Sequence, residues 1–296
     1  MTEQGQFTSG RPILCGYNVL RAAVTSGSLK WVSARNSSTD ITASGRPTSR
    51  LCDGYSHLTS TPASSASSRY LAIDLGGLYE FDTLVILNHG TDTENSNITV
   101  SVSDSALYSG NPTQILTLAP HNPITDKRRG NYYWDTGMGP DLKRFTAQYI
   151  WVGWTSVMAG TVQPVIGEVF LGRRYQLKHA PEMAGWDPAH LVSSAEDFKS
   201  ASGITTRYVR YAGQRVWEPV FAPSDTSYIA DILSFWADCD YGTEPFLFND
   251  NAYSAPDDTY FMLADPELTG PLDGPFQRRF SLKGAEQGPY FLTGGL

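Results

Sequence analysis

Paired acids that could do chemistry occur in this 296-residue sequence at Asp238 with Asp240 and at Asp257 with Asp258. Cleaving a glycosidic bond needs two carboxyl groups held roughly 5 to 9.5 Å apart across a sugar ring. Sequence neighbours do not provide that, because adjacent residues of a strand point to opposite faces. Asp238-x-Asp240-x-Gly242 has the opening of a calcium loop, but the Glu that would close such a loop with two oxygens is missing. The acids therefore read as a solvated helix C-terminus. The five histidines, His57, His89, His121, His179 and His190, are far apart and lie in or after loops, which suits turn residues better than a base or a ligand set. The chain has no Gly-x-Ser-x-Gly elbow, no Gly-x-x-x-x-Gly-Lys phosphate loop and no His-Glu-x-x-His pair. The sequence predicts no catalytic residue, no metal and no cofactor.

Composition narrows the class further. Hydrophobic residues at 41% describe a globular chain, and charged residues at only 18% leave Ser, Thr, Asn and Gly to form much of the surface, the balance of a loop-rich β-protein. A net charge of -8 opposes nucleic-acid binding, which needs a basic face to displace counterions from phosphates. Lys127-Arg128-Arg129 is a short basic cluster that reads as a solvated loop. No stretch approaches the roughly 18 apolar residues that span a bilayer, so no membrane insertion is expected. The opening residues lack the basic and apolar regions of a signal peptide. Cys15, Cys52 and Cys239 are an odd number without metal spacing, which predicts buried reduced thiols in a protein assembled in the cytoplasm.

Strand grammar is strongest from Arg69 to Gly90. Leu71, Ile73 and Leu75 alternate with Tyr70, Ala72 and Asp74, Gly76-Gly77 break the run, and Thr83 to Leu87 is apolar on both faces, as in a strand covered on both sides. Upstream, residues 1–10 read as a polar arm, Pro12 to Val24 as a strand, and Leu29 to Ser33 as another. Residues 35–68 are rich in Ser, Thr, Gly and Pro and read as long loops at one end of a sandwich. Downstream, Ile98, Val100 and Val102 alternate with Thr99, Ser101 and Ser103, a half-buried strand with a polar outer face. Phe145, Ala147, Tyr149 and Trp151 share one face of a strand, with Ile150, Val152 and Trp154 on the other. The fold expected is mainly β: a jelly-roll sandwich over 11–175, a connecting segment over 176–203, and a smaller β domain over 204–296.

In that second domain Arg207 to Tyr211 and Gln214 to Phe221 flank Ala212-Gly213 and read as a hairpin. Ser224 suits an N-cap, and Tyr228, Ile232, Phe235, Trp236 and Cys239 recur at helical spacing, which predicts a helix over 225–240. Strands are expected at Glu244 to Phe248, Tyr260 to Leu263 and Phe276 to Leu282.

The strand ending in Asp74-Leu75-Gly76, the Asp53-Gly54 turn, and the segments 147–151 and 166–172 resemble the galactose-binding-like jelly roll, also called the discoidin or coagulation factor 5/8 type C fold. That resemblance implies a ligand site in the loops at one end, with Trp31, Arg35, Asp53, His57 and His89 as the candidates for contacting a glycan on a host surface.

Trp217-Glu218-Pro219-Val220-Phe221, the helix holding Phe235-Trp236, Gly242 to Phe248 and Arg279 to Leu282 are similar to the distal-tail and tail-completion proteins of long-tailed bacteriophages. This resemblance implies a structural virion protein, assembled in the bacterial cytoplasm into a homo-oligomeric ring, a hexamer or trimer. The ring would lie at the end of the tail tube and bind tube, hub and fibre proteins, with Trp217, Phe221, Phe246 and Phe248 as candidates for its interface. Family members place the ring-forming domain before the carbohydrate-binding-like sandwich, whereas here the order reads as reversed.

Overall fold

The structure is a computed structural model, and it describes residues 13–54, 58–63, 69–87, 97–103, 113–118, 132–135, 144–155, 164–176, 181–182, 191–199, 202, 205–217, 220–224, 226–249, 259–269 and 278–286. The fold is mainly β, with antiparallel sheets and few helices.

Five strands form one sheet of a sandwich: β2 (Ser28–Val32), β3 (Arg69–Phe81), β5 (Asn97–Ser103), β6 (Thr113–Leu118) and β8 (Phe145–Thr155), in the order β2-β3-β8-β5-β6. The facing sheet has the order β7 (Tyr132–Asp135), β4 (Thr83–Leu87), β9 (Glu168–Gly172). Between them lies a core of Trp31, Leu71, Ile73, Leu84, Ile86, Val100, Ile150, Val152, Trp154, Val169 and Leu171, the alternate residues of each strand.

The two-sided burial expected of Thr83 to Leu87 is observed, and its cause is specific. Leu84 and Ile86 face the sandwich core, while Val85 and Leu87 join Phe170 against Ile13, Cys15 and Leu247. Ile13–Cys15 is β1, and it pairs with β10 (Arg174–Gln176) and with β15 (Phe246–Asn249), not with the sandwich. The sandwich is therefore inserted between two adjacent antiparallel strands of a nine-stranded sheet. Along its main path this second sheet runs β10-β1-β15-β16-β17-β13-β12, with β12 (Leu191–Lys199), β13 (Thr205–Trp217), β16 (Thr259–Thr269) and β17 (Arg278–Glu286). Two further strands, β11 (Pro181–Glu182) and β14 (Val220–Ser224), pair beside β17.

Helix α1 (Leu20–Thr25) takes up the last part, from Leu20, of the stretch read as a strand from Pro12 to Val24. The Asn18 side chain explains the turn into it: Oδ1 accepts from the N–H groups of Leu20 and Leu171, and Nδ2 donates to the Val169 carbonyl. This polar splint fixes the chain against β9 before the helix begins. The helix predicted over 225–240 is α2 (Thr226–Asp238); Ser224, read as its N-cap, ends β14 instead, and α2 packs Phe235 edge-on against Phe246 with ring centroids 5.2 Å apart.

At two glycines the strands run on where the sequence predicts a break. Gly76, at φ 73°, does not end β3; the strand runs through, and its register against β8 shifts between Asp74 and Tyr79. Likewise Ala212-Gly213 makes no hairpin turn. β13 is continuous there, and the pair is extra chain between Gln214 opposite Val192 and Tyr211 opposite Ser194, a bulge.

Candidate functional site

The sandwich has two unlike ends. Val32, Leu87 and Thr155 end their strands, and Arg69, Asn97 and Glu168 begin theirs, at the same end. The segments 33–68, 88–96 and 156–167 all issue there. Gly172, where the chain leaves for β10, pairs with Thr83 at the opposite end. The shorter segments 104–112 and 136–143 issue at that opposite end too, so the topology separates the end bearing the long segment 33–68 from the point of exit.

Two of the five glycan candidates have described side chains in this region besides Trp31. Arg35 is held on the outer face of the five-stranded sheet: Nη1 donates to Ser101 Oγ at 3.2 Å, and the guanidinium lies 5.6 Å from the Tyr70 ring centroid. That outer face, read as polar at Thr99, Ser101 and Ser103, is buried at Thr99 and Ser101. Val32, Tyr70, Ala72 and Trp151 form a second apolar layer, and Ser101 is only 1% exposed. Gly153 permits this layer, since a Cβ there would lie 2.6 Å from Tyr70 ring atoms.

Trp31 is not a sugar platform. It is fully buried, its ring centroid is 5.2 Å from that of Trp154, and its indole N–H donates to Ser60 Oγ at 3.0 Å. Alternation along β2 puts it inward with Leu29, and the residue type alone could not show which face was the core. His57 and His89, like the other three histidines, Asp257 and Asp258, lie outside the described residues.

Asp53 sits on the other side of the sandwich, beside Glu168, a residue that sequence reasoning did not single out. Glu168 is 1% exposed, and its Oε2 accepts from the Gly54 N–H at 3.2 Å. Burial, and then the charge of Asp53, hold its carboxyl well above the usual range, against the pull of the Gly54 hydrogen bond. Burial followed by the Glu168 charge likewise pushes the Cys52 thiol up to about 12, so it is a neutral, unreactive group. The cleft lined by Tyr17, Asn18, Arg21, Glu168 and Glu244 measures ≈ 10 Å³, room for about one water molecule and not for a pyranose. Arg21 bridges it by pairing with Glu244 and donating to the Cys52 carbonyl. Among the described residues no group of three or more His, Cys, Asp or Glu side chains is placed to hold a metal ion, and no helix is long and apolar enough to cross a membrane.

Phe246 and Phe248, expected at a ring interface, are fully buried within the chain. Phe246 packs against Phe235 of α2, and the burial of both side chains stabilises the fold of one copy. For Trp217 and Phe221 the structure describes only the backbone, paired to Gly284 and to Phe280 and Pro181.

No family model and no curated protein matches the chain. Solved structures do. The likeness is to carbohydrate-binding modules of family 32. The first such module of a family 31 glycoside hydrolase from Clostridium perfringens is 12% identical, covers 50% of this chain and 95% of its own, and has a TM-score of 0.36. Chitosan-binding module 1 of a chitosanase/glucanase from Paenibacillus sp. IK-5 is 16% identical over 49% of this chain and 92% of its own, with a TM-score of 0.33. A Ruminococcus gnavus family 29 fucosidase in complex with fucose is 17% identical over 53% of this chain, with a TM-score of 0.36, and the match spans 27% of that enzyme. These are distant similarities of fold over about half of the chain.

Proposed function

We propose that this chain is a structural display protein that acts by binding and assembly, not by turnover. The nine-stranded sheet with its flanking helix α2 is the mounting, and the inserted sandwich is the contact module, whose loop-bearing end meets host-surface carbohydrate. The observation that supports this reading most is topological: the sandwich leaves its mounting at Gly172, at the end opposite to the one from which residues 33–68, 88–96 and 156–167 issue. Loops on a rigid scaffold are where binding groups concentrate, and Arg35 and Asp53 stand at the bases of these loops.

The setting is the distal end of a bacteriophage tail, as the similarity of the C-terminal strands and helix implies. Because β1 precedes the sandwich and pairs in the second sheet, the sandwich is an insertion near the start of that sheet's chain rather than a domain wholly before it. A purely bracing role, with the sandwich contacting neighbouring tail proteins, is the second reading, and the burial of Trp31 favours it by removing an aromatic platform.

A glycan-array screen of the intact chain separates the two. The display reading expects saturable binding that Arg35→Ala weakens at least tenfold. Absence of binding to any glycan overturns it in favour of bracing.

A further inference from the structure

Strand β13 joins the nine-stranded sheet through Val216 and Trp217, which pair with Ala285 and Gly284 of β17. Its earlier residues, Thr205 to Tyr211, pair among the described residues with β12, from Thr205 opposite Lys199 to Tyr211 opposite Ser194. Among the described strands β12 is also the edge of the sheet. The two strands therefore continue past the sheet as a ribbon of about 20 Å, at roughly 3.4 Å per residue. A ribbon of two strands is marginal in water by itself, and long free edges are templates for further pairing.

We propose that this ribbon is the contact between copies of this chain: the outer edge of β12 in one copy pairs with the outer edge of β13, along Thr205 to Tyr211, in the next. The inference rests on the ring reading above and names the surface that makes the ring. Three features favour this head-to-tail arrangement. β12 and β13 are antiparallel, so repeating the ribbon by rotation keeps every neighbouring pair antiparallel. Such repetition leaves no edge open once the ring closes, whereas a two-fold pairing of β12 with β12 leaves both β13 edges unpaired. Charge points the same way. β12 contains Glu196 and Asp197 against Lys199, while residues 205–211 contain Arg207 and Arg210 and no acid. Head-to-tail pairing sets strands of opposite sign side by side, and β12 against β12 sets acids beside acids.

The test uses the intact chain. Ala195→Cys and Val209→Cys are made in separate proteins, mixed, and treated with a short thiol-specific cross-linker, while light scattering gives the mass of the same mixture. The three native cysteines are buried and do not compete. The proposal expects a ring-sized mass and a cross-linked product that joins the two variants. A ring-sized mass without the mixed product overturns the ribbon contact and leaves the ring reading standing. Cross-linking of Ala195→Cys mainly to itself overturns the head-to-tail arrangement. A monomer at every concentration overturns both the ribbon contact and the ring.

Discussion

Asp82 Oδ1 accepts the backbone N–H of Arg174 at 2.9 Å, tying the turn between β3 and β4 to the first residue of the strand by which the chain rejoins the second sheet. Asp82 is fully buried, and Thr83 Oγ1 donates to the same oxygen at 2.8 Å. Its own N–H donates to the Gly172 carbonyl at 3.0 Å. Asp82 thus holds the end of β9 through its backbone N–H and the start of β10 through its side chain.

Asp82→Ala strands two donors in a dry site and is expected to cost about 1–3 kcal/mol in chemical denaturation. Asp82→Asn keeps an acceptor and should cost clearly less. Equal losses would show that the hydrogen bonds to Arg174 and Thr83 do not matter.

Gly16 lies where β1 passes the end of α2. A Cβ there would stand 2.8 Å from Asp238 Cβ and 3.3 Å from the Phe235 carbonyl oxygen. Gly16→Ala should therefore destabilise by about 1–3 kcal/mol, the usual cost of overpacking. The same contact carries the pairs that Asp238 makes with Arg173 at 2.7 Å and with the Tyr175 hydroxyl at 2.5 Å. A neutral Gly16→Ala in a melting experiment would mean that α2 is not fixed against β1.

Glu168 gives the chain a pH signature. Its carboxyl is raised in the folded state by burial and by Asp53. A raised acid binds its proton more tightly when folded than when unfolded. Stability linked to it is therefore greatest below the ordinary Glu range and falls as pH rises from that range through the raised value. Glu168→Gln keeps an oxygen for the Gly54 N–H and removes the titration. Melting temperatures across pH should show the variant equal to or above the parent at neutral pH, with a shallower slope. A parent that gains stability over that window would contradict the assignment.

Trp31 and Arg35 should behave in opposite ways. Trp31→Ala empties a core site beside Trp154 and is expected to cost about 3–5 kcal/mol, with glycan affinity of the folded fraction unchanged. Arg35→Ala removes one hydrogen bond and one ring contact at a part-exposed site and should change stability by about 1 kcal/mol or less, while lowering glycan affinity. Denaturation and binding measured on the same preparations distinguish the two.

Period and alternation made the strands legible: Leu71 to Leu75, Thr83 to Leu87 and Ile98 to Val102 lie where the pattern puts them. Topology was less legible, because Ile13–Cys15 is apolar whether it enters the sandwich or the sheet beyond it. Only its partners, Tyr175 and Phe248, distinguish the two. Gly76 and Gly213 signalled irregular backbone, and the sequence cannot say whether such a glycine turns a chain or bulges it. The candidate site was legible as a set of loops and not as side chains. Glu168 escaped notice because a lone acid in an apolar strand becomes unusual only when Asp53 and Gly54, more than a hundred residues away, are seen against it.

The most direct test of the display account is backbone hydrogen exchange on the intact chain, with and without a saturating concentration of the best-binding glycan from the array. The account predicts new protection in residues 33–54 and 58–63, at the loop-bearing end of the sandwich. Protection confined to the nine-stranded sheet, or no change anywhere, would contradict it.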